Sequence, residues 1–526
     1  MFRFAVAGKN QFSIRDRRGT EATDRPCIEK PLWFLYRQAR GSLKTEPLKR
    51  GVENYLVVQR GLCSREDSSD RRSHSIIMRL DDPSSWFVPA SIFAKRTFNP
   101  IRDVVETLDL RPNPDKPMIA LSIGDPTVFG NLGPCQEIIE AVLESVRSGS
   151  FNGYAPSTGY LEARRAVADK FSLPNAELEA KDVILASGCS CALDLCITVL
   201  ANPGQNILFP KPGFAIYRTL AEGLGINTKQ YNLIPDRNWE VDLPHLESLI
   251  DHETAAIVVN NPSNPCGSVY KKSHLQDILS IAARHKLPIL ADEIYDDFVF
   301  EGEEFHRLAS LTTEVPILSC GGLTKKYLVP GWRMGWILIY DRQGIFDKEV
   351  RKGLQCLSQR IIGSNTLIQG ALPAIFKNTP PSFFASSIQQ VQDNAVLAFE
   401  HLSKIPGLTP VAPQGAMYMM VKIDMENFPE FSNEMEFVER LVSEQSVFCL
   451  PGKCFDYPNY IRIVLTVPRD QMVEALRRTE AFCLAHHVPA SPKKPLPAVD
   501  VLASFTSLLK SNGSIIVEDS LSIQTK

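Results

Sequence analysis

From Thr97 onward, short apolar runs alternate with segments of helical periodicity, and this alternation restricts the possible folds more than any other feature of the sequence. The runs Asp182–Ala186 (DVILA) and Ala255–Val259 (AAIVV) are almost wholly apolar, which is typical of strands buried on both faces of a sheet. Helical patterns accompany them, for example over Glu137–Arg147. The sequence therefore predicts an α/β fold in which helices flank a mostly parallel central sheet.

The pattern changes past Ile361 and indicates a second, smaller α/β domain. A long helical segment is followed there by a corner at Pro406–Gly407 and by strands around Met417–Val421 and Tyr460–Val464. The expected division is a basic leader over 1–90, an N-terminal arm with part of the small domain over 91–145, a large domain over 146–355, a small C-terminal domain over 356–488 and a flexible tail over 489–526.

Residues 1–90 differ from the rest of the chain because they are rich in arginine and lysine and show no sustained helical or strand period. Serine and aspartate crowd the stretch Ser64–Ser75, and we expect a mostly disordered leader. Its arginines would suit mitochondrial import, but early acidic residues such as Asp16 and Glu21 are unusual in transit peptides. No apolar core follows Met1, so we expect no secretory signal, and the cytoplasm is the expected compartment.

Composition and charge argue against several classes of partner. The chain has 44% hydrophobic and 22% charged residues and a net charge of -3, which gives no reason to expect nucleic acid or an anionic membrane as a partner. Charges or prolines interrupt every long apolar run, so no transmembrane helix is predicted. None of the 12 cysteines forms a C-x-x-C pair, so we expect free thiols in a reducing compartment and no bound metal.

Lys325 occupies an unusual position for a lysine, because it lies in an apolar, glycine-bearing segment at the end of a predicted strand. That segment, Gly322–Gly335, reads GLTKKYLVPGWRMG. A buried, uncharged lysine amine can form a Schiff base with an aldehyde. Arg333 follows eight residues later, and its guanidinium can hold a phosphate through two parallel hydrogen bonds. A solvated basic surface is the alternative, but the apolar flanks count against it.

Three other polar positions also follow the carboxyl ends of predicted strands, which is the edge where open α/β sheets bind ligands. Asp292 ends one strand in the run ADEIY, where the alternative role is a helix N-cap. Asn264 lies in a proline-rich turn after another strand. The segment Gly188–Ser190 joins a strand to a helix whose first N–H groups can bind an anion.

Arg462 is a charge within the apolar strand Tyr460–Val464. A buried lone charge is costly, so this guanidinium needs an anionic partner. That partner is either a bound carboxylate or a side chain of the protein itself.

The segment Gly322–Gly335 resembles, without gaps, the cofactor-lysine motif of class-I aminotransferases. The resemblance implies the type I fold of pyridoxal-phosphate-dependent transferases, with a large domain and a smaller α/β domain. It implies that Lys325, which directly follows the small residue Thr324, binds pyridoxal 5′-phosphate, and that Lys326 does not. It also implies that Asp292 keeps the pyridine nitrogen protonated, so that the ring can accept the electron pair of a carbanion.

The same resemblance implies a role for each of the remaining candidates. Three residues are expected to be catalytic: Lys325, Asp292 and Tyr295. The residues expected to contact the cofactor are Gly188, Cys189, Ser190, Phe214, Asn264, Asp292, Tyr295, Lys325, Arg333 and, from the neighbouring subunit, Tyr154. Substrate contacts are expected from Arg462, which would bind the α-carboxylate, and from Gly124 and Arg102. A tyrosine that reaches the neighbouring cofactor implies a homodimer with shared active sites.

Segments outside this motif extend the resemblance over roughly Ala94 to His486 and favour the members of the family that act on tyrosine. They are Thr97–Arg102, Ser122–Asn131, Asn152–Gly159, Asn260–Val269, Val329–Ile337, Pro429–Ser432 and Pro458–Val467. The implied reaction transfers the amino group of L-tyrosine to 2-oxoglutarate and gives 4-hydroxyphenylpyruvate and glutamate, the first step of tyrosine catabolism and a part of phenylalanine catabolism.

Two departures and three alternatives accompany this interpretation. Gly322 stands where the aspartate-specific relatives have a phosphate-binding serine, and their arginine for the distal carboxylate has no evident counterpart, Arg102 being the candidate. The alternatives are an aromatic or alanine-type aminotransferase of broader specificity, a pyridoxal-phosphate-dependent lyase, and a DNA-binding regulator with an aminotransferase-like domain. The regulator is disfavoured because residues 1–90 show no helix-turn-helix pattern.

Overall fold

The computed structural model describes residues 88–489 together with two short strands, β1 (Tyr55–Val58) and β2 (Ile76–Arg79). These strands pair antiparallel in the part of the chain before Ala90, and the sequence did not predict them. Apart from this strand pair, the predicted leader lies outside the described residues, and so does the predicted tail beyond residue 489.

The second compact unit begins at Ala90 and contains the remaining helices and strands. Its strands are β3 (Ile119–Ala120), β4 (Val183–Ala186), β5 (Asn206–Lys211), β6 (Asn227–Ile234), β7 (Glu240–Val241), β8 (Thr254–Asn260), β9 (Ile289–Asp292), β10 (Ile317–Gly322), β11 (Gly335–Tyr340), β12 (Leu408–Pro410), β13 (Tyr418–Ile423), β14 (Val447–Phe448), β15 (Leu450–Pro451) and β16 (Tyr460–Val464). Its helices are α1 (Ile92–Arg96), α2 (Pro100–Thr107), α3 (Gln136–Arg147), α4 (Leu161–Phe171), α5 (Cys189–Leu200), α6 (Ile216–Gly223), α7 (Leu243–Ser248), α8 (Lys272–Arg284), α9 (Val350–Ser358), α10 (Thr366–Asn378), α11 (Pro381–Leu402), α12 (Glu434–Gln445) and α13 (Arg469–His486).

An eight-stranded sheet with the order β4-β11-β10-β9-β8-β5-β6-β7 forms the centre of this unit. The five strands from β10 to β6 run parallel, whereas β11 and β7 run antiparallel to their neighbours. Within β4, Ile184 and Ala186 belong to one apolar core and Val183 and Leu185 to the other. The sheet is therefore covered on both faces, and the prediction of a mostly parallel sheet flanked by helices is confirmed.

A four-stranded antiparallel sheet, with the order β12-β13-β16-β15, forms the second layered element. Helices α11 and α12 pack against its strands and against α13. The short strand β3 pairs with β14, which brings the segment before α3 next to this smaller sheet. That pairing supports an arm that contributes to the small domain, although the predicted boundaries remain predictions.

The strand predicted over Trp332–Tyr340 starts later than expected, at Gly335. Pro330–Trp332 form a 3₁₀ turn instead, and Arg333 has a left-handed backbone with a φ of 52°. Proline has no N–H to donate to a ladder, and a left-handed residue interrupts extended geometry. The turn therefore delays the strand until the glycine that pairs with Gly322.

Helix α2 begins with two strong local signals. The side chain of Asn99 accepts hydrogen bonds from the backbone N–H groups of Ile101 and Arg102, and Pro100 occupies the first helical position. Both features favour a helix start at this point. Among residues 88–489, none of the helices combines the length and the apolar character that crossing a bilayer requires.

Candidate functional site

A cavity of about 480 Å³ lies beyond the carboxyl ends of β8, β9 and β10. This is the edge of the sheet where ligands bind in open α/β folds, and the volume suits a cofactor-sized molecule. The predicted residues that line it are Gly124, Cys189, Ser190, Phe214, Asn264, Asp292, Tyr295, Lys325, Arg333 and Arg462.

The two neighbouring lysines have different surroundings. Lys325 lines the cavity, and its Nζ donates a hydrogen bond of 2.6 Å to the carbonyl oxygen of Gly124. Lys326 does not line it, and its Nζ lies 2.6 Å from an Asp297 carboxylate oxygen and 3.8 Å from one of Asp296. Burial lowers the pKa of Lys326, but these two carboxylates outweigh burial and raise it. Within the described residues Lys325 has no carboxylate partner, and its amine faces the cavity.

Asp292 ends strand β9 and is only 2% exposed. Burial raises the pKa of its carboxyl, and hydrogen bonds lower it in part. The strongest of these comes from the hydroxyl of Tyr217, 2.6 Å from Oδ2, and the thiol of Cys189 lies 3.7 Å from Oδ1. In the described part of the chain no cation pairs with this carboxylate, so a cationic group in the cavity would meet a buried acid.

Arg462 is buried in the middle of β16, with 4% of its surface exposed. Its guanidinium donates to Asn264 Oδ1 at 3.1 Å and to the carbonyl oxygen of Ser122 at 2.8 Å, while Nε has no partner. No carboxylate lies within ion-pair distance of it among residues 88–489, so the internal ion pair considered from the sequence is not formed there. A buried guanidinium that faces a cavity without a protein counter-ion can be compensated by a bound anion.

The start of helix α5 forms a second anion-binding end of the cavity. Gly188 caps this helix with a φ of 85°, and the first N–H groups of the helix face the same side. The guanidinium of Arg333 lies so close to Gly188 that a Cβ there would be 2.4 Å from Nη2. Any larger residue at position 188 would therefore displace Arg333, and two cationic features converge at this end.

The close packing of strands β10 and β11 explains why position 322 is a glycine. A Cβ on Gly322 would lie 2.7 Å from the backbone oxygen of Met334, which is closer than real Cβ contacts come, and 3.1 Å from Cα of Gly335, which is tight. The tight pairing of β10 with β11 therefore excludes a serine here. Arg333, Ser190 and the α5 amides are the remaining groups that can bind an anion at this end.

Three predicted residues do not line the cavity of the single chain. Gly188 lies against the guanidinium of Arg333, and its lack of a side chain leaves room for that group. Helix α2 presents Ile101 and Val105 to the cavity, whereas Arg102 is exposed on another face of the helix. Tyr154 is 89% exposed and has no place in its own chain's cavity. The structure therefore does not bring Arg102 and Tyr154 together with the other candidates.

Sequence reasoning missed two tyrosines of this site. Tyr217 stands one helical turn after Phe214, and its ring meets that of Phe214 edge-on at 6.1 Å. Tyr418 lines the cavity from strand β13. Both lie in apolar stretches of the sequence that indicate core packing. The only feature that could have identified them as site residues is a polar hydroxyl within such a stretch.

Comparison with known proteins agrees with this geometry. The family model described as aminotransferase class I and II matches residues 116–478, and the chain belongs to this family. It is therefore an aminotransferase, and members of the family use pyridoxal 5′-phosphate in general.

Individual relatives are more specific. The chain is 58% identical over 402 residues to tyrosine aminotransferase of Homo sapiens, which covers 76% of this chain and 88% of that protein. It is 48% identical over 405 residues to tyrosine aminotransferase of Dictyostelium discoideum, covering 76% and 97% of the two chains. The crystal structure of tyrosine aminotransferase from Leishmania infantum superposes with a TM-score of 0.73 at 33% identity, covering 77% of this chain and all of that one.

The hydrogen bond from Tyr217 predicts a pH-dependent loss of stability in Tyr217→Phe. A carboxyl whose folded pKa is raised destabilises the folded state increasingly as pH rises from the ordinary aspartate range to that folded pKa. Without the phenol the pKa of Asp292 rises further, so the loss is about 1–3 kcal/mol at neutral pH and smaller at acidic pH, where the carboxyl is protonated in both proteins. Urea unfolding at the two pH values measures it.

Tyr231→Phe is the matched control, because its buried hydroxyl donates to the carbonyl of Val258 and to no titrating group. Its cost should be the same at both pH values. An equal loss at both pH values in Tyr217→Phe would contradict the role assigned to this hydrogen bond.

Proposed function

We propose that this chain is a pyridoxal-phosphate-dependent aminotransferase that transfers the amino group of L-tyrosine to 2-oxoglutarate, giving 4-hydroxyphenylpyruvate and glutamate. The observation that carries the proposal is the buried Arg462 guanidinium, which has no carboxylate partner among the described residues and faces the same cavity as Lys325 and Asp292. All amino-acid and oxo-acid substrates of such an enzyme share an α-carboxylate, which is the anion that this guanidinium lacks.

The residues of the cavity fit pyridoxal 5′-phosphate group by group. Its phosphate suits the end formed by Arg333, Ser190 and the first N–H groups of helix α5. Its pyridine nitrogen suits the buried carboxylate of Asp292, and its ring oxygen suits the hydroxyl of Tyr295 and the amide of Asn264, whose Oδ1 is turned to Arg462. When bound, the cofactor supplies an electron-accepting ring that stabilises the negative charge left on a substrate α-carbon.

Lys325 then has two roles. As an uncharged amine its Nζ would hold the cofactor covalently. When that nitrogen is free, it would accept the proton from the substrate α-carbon and deliver it to the C4′ carbon of the cofactor, as base and then acid. Asp292 stays ionised opposite a cation in the cavity. Arg462 fixes the α-carboxylate of each substrate in turn, so that the bond to be broken points towards Lys325.

The wall of the cavity next to Arg462 favours an aromatic side chain. Helix α2 and the segment from β14 to β15 contribute apolar groups there, and the cavity is lined on this side by Ile101, Val105, Ile123, Phe448 and Leu450. An apolar wall binds a tyrosine ring through the hydrophobic effect. An aromatic side chain covers more of the apolar surface of this wall than the methyl group of alanine does. This supports tyrosine over an alanine-type substrate.

Activity on a panel of substrates tests the proposal. The holoenzyme is incubated with L-tyrosine and 2-oxoglutarate, with other amino donors, and separately with cystine. Glutamate and 4-hydroxyphenylpyruvate from the first mixture, at a kcat/KM above that for alanine, support the proposal. Pyruvate and ammonia from cystine, with no glutamate from the first mixture, would indicate a carbon–sulfur lyase instead.

The contrast between the two lysines gives a matched pair of variants. Lys325→Ala should lose the visible absorbance of the bound cofactor and at least about 10⁴-fold in kcat, the upper end of the effects of acid–base groups. Lys326→Ala should keep the absorbance and turnover, because Lys326 pairs with Asp296 and Asp297 outside the cavity. Absorbance spectra and initial rates measure both, and the reverse pattern would overturn the assignment of the lysine.

The exposure of Tyr154 supports a homodimer with shared active sites. Its ring is 89% exposed, and Ile361 and Ile362 nearby in the structure are 46% and 60% exposed, while Gly363 lies against the backbone of Pro156 and Ser157. Exposed apolar side chains in one patch are typical of an interface. In a dimer, Tyr154 would reach the phosphate bound by the partner chain.

Hybrid dimers test this sharing. Chains carrying Lys325→Ala or Tyr154→Phe are co-expressed with different tags, and the hybrid is purified through both. If sites are shared, one site of the hybrid carries both lesions and the other carries neither, so at low cofactor concentration the hybrid turns over tyrosine faster than either parent dimer. A hybrid no better than the average of the parents would exclude sharing.

We place the enzyme in the cytoplasm. All ten cysteines in the described part of the chain are free, which suits a reducing compartment.

A further inference from the structure

Tyr418 is a buried phenol in the wall of the cavity, and the mechanism above leaves it without a role. It lies at the start of β13, is 2% exposed and lines the cavity on the side opposite the main sheet. In the antiparallel ladder Met420 pairs with Arg462 and Tyr418 with Val464. Because alternate residues share a face of a sheet, Tyr418 is a diagonal neighbour of Arg462 on the side that faces the cavity.

The hydroxyl of Tyr418 is surrounded by the reacting groups of the site. The hydroxyl of Tyr295 donates a hydrogen bond of 2.8 Å to it, and the amine of Lys325, which donates to the carbonyl of Gly124, acts on it through its positive charge. The guanidinium of Arg462 lies 4.3 Å from the centre of its ring. A Cβ on Gly124 would come within 2.9 Å of this hydroxyl oxygen, so the glycine whose carbonyl accepts from Lys325 also leaves room for Tyr418.

The electrostatic surroundings favour loss of the phenol proton. Burial raises the pKa of Tyr418, but the positive charges of Lys325 and Arg462 and the hydrogen bond from Tyr295 outweigh burial, so the pKa is lowered. Tyr295 differs, because burial and the neighbouring Tyr418 raise its pKa well above the ordinary value. Tyr295 therefore keeps its proton and donates, and Tyr418 accepts. The titratable groups that face Tyr418 are Lys325, Arg462 and Tyr295.

We propose that Tyr418 is a further catalytic residue whose phenol oxygen exchanges a proton with Nζ of Lys325. In this exchange an N–H bond of the lysine ammonium breaks, its electron pair stays on nitrogen, and an O–H bond forms on the phenolate of Tyr418. An ammonium and a phenolate become a neutral amine and a neutral phenol, with no other reactant. The reverse transfer restores the ion pair.

This exchange gives Lys325 what both of its proposed roles require, a nitrogen with a free electron pair. An ammonium beside the guanidinium of Arg462 is a pair of like charges in a buried place, and a phenolate between them relieves the repulsion. When the lysine is an amine, the phenol is neutral and no longer needs a donor, so the hydroxyl of Tyr295 can turn to the ring oxygen of the cofactor. The inference rests on the proposed function, because it is Lys325 chemistry that the phenol serves.

Ultraviolet titration of the cofactor-free protein tests the exchange directly, because phenolate and phenol absorb differently. The wild type should show one tyrosine that ionises at lower pH than the others. Tyr418→Phe should lack this step, and Lys325→Met should shift it to higher pH, because a positive charge that favours the phenolate of Tyr418 is removed. Tyr457→Phe, at a half-buried tyrosine outside the cavity, is the control and should retain the step.

Kinetics of the holoenzyme test whether the exchange serves catalysis. Tyr418→Phe keeps the ring over Arg462 and loses only the hydroxyl, so KM for tyrosine should change little while kcat falls about 100-fold, the lower end of the effects of proton-transfer groups. The ratio of kcat for tyrosine and for α-deuterated tyrosine should rise, because proton transfer becomes slower than other steps. A purely structural role would lower both rates equally and leave this ratio unchanged.

The outcomes separate this inference from the proposed function. A wild type that transaminates tyrosine, with a titration step that survives in Tyr418→Phe or an unchanged isotope ratio in that variant, would overturn the inference alone. A wild type that does not transaminate any amino donor would overturn the proposed function, whatever the titration shows. Loss of the step in Tyr418→Phe, its shift in Lys325→Met and a raised isotope ratio together support the exchange.

Discussion

Two buried charges of opposite sign, each without a protein counter-ion among the described residues, determine what this cavity can hold. The carboxylate of Asp292 and the guanidinium of Arg462 both lie within a few per cent of full burial. Taking such charges out of water costs several kcal/mol each unless a partner compensates them. They line the same cavity but approach it from different sheets. A ligand that presents a cation to one and an anion to the other restores the compensation, and this is the basis on which the site selects its occupants.

The charged residues just outside the cavity, unlike Asp292 and Arg462, are paired with other side chains of the protein. Glu293, next to Asp292 in the chain, accepts from Arg307 at 2.6 Å, from Ser319 at 2.6 Å and from the backbone of Leu308 at 2.9 Å. Arg307 also reaches Asp296 at 3.1 Å. Since every member has a partner, this network holds the end of β9 in place without needing a ligand. Of these two adjacent residues, Glu293 is fully paired and fixes the geometry, whereas Asp292 has no cationic partner among the described residues and faces the cavity.

Sequence patterns predicted the main sheet and most of the cavity because both depend on features that are local along the chain. Buried strands appear as apolar runs, and the polar residue after each run marks the ligand-binding edge, as with Asp292 and Lys325. Three features depended instead on a local backbone conformation or on contacts between separate segments. The late start of β11 follows from the left-handed Arg333, the glycine at 322 from its closeness to Met334, and the place of Tyr418 from the pairing of β13 with β16. None of these contacts leaves a periodic trace in the sequence.

The unpaired charges also link stability to occupancy. A group that is buried and uncompensated in the empty protein destabilises the folded state, and a ligand that compensates it binds the folded chain but not the unfolded one. Such a ligand stabilises folding by RT ln(1 + [L]/Kd), about 2.7 kcal/mol at a concentration one hundred times Kd. Because Asp292 and Arg462 sit on different sheets, a ligand that engages both also ties those sheets together. Burial of these two charges lowers the stability of the empty protein. A ligand that compensates both charges therefore raises the free energy of unfolding of the whole unit.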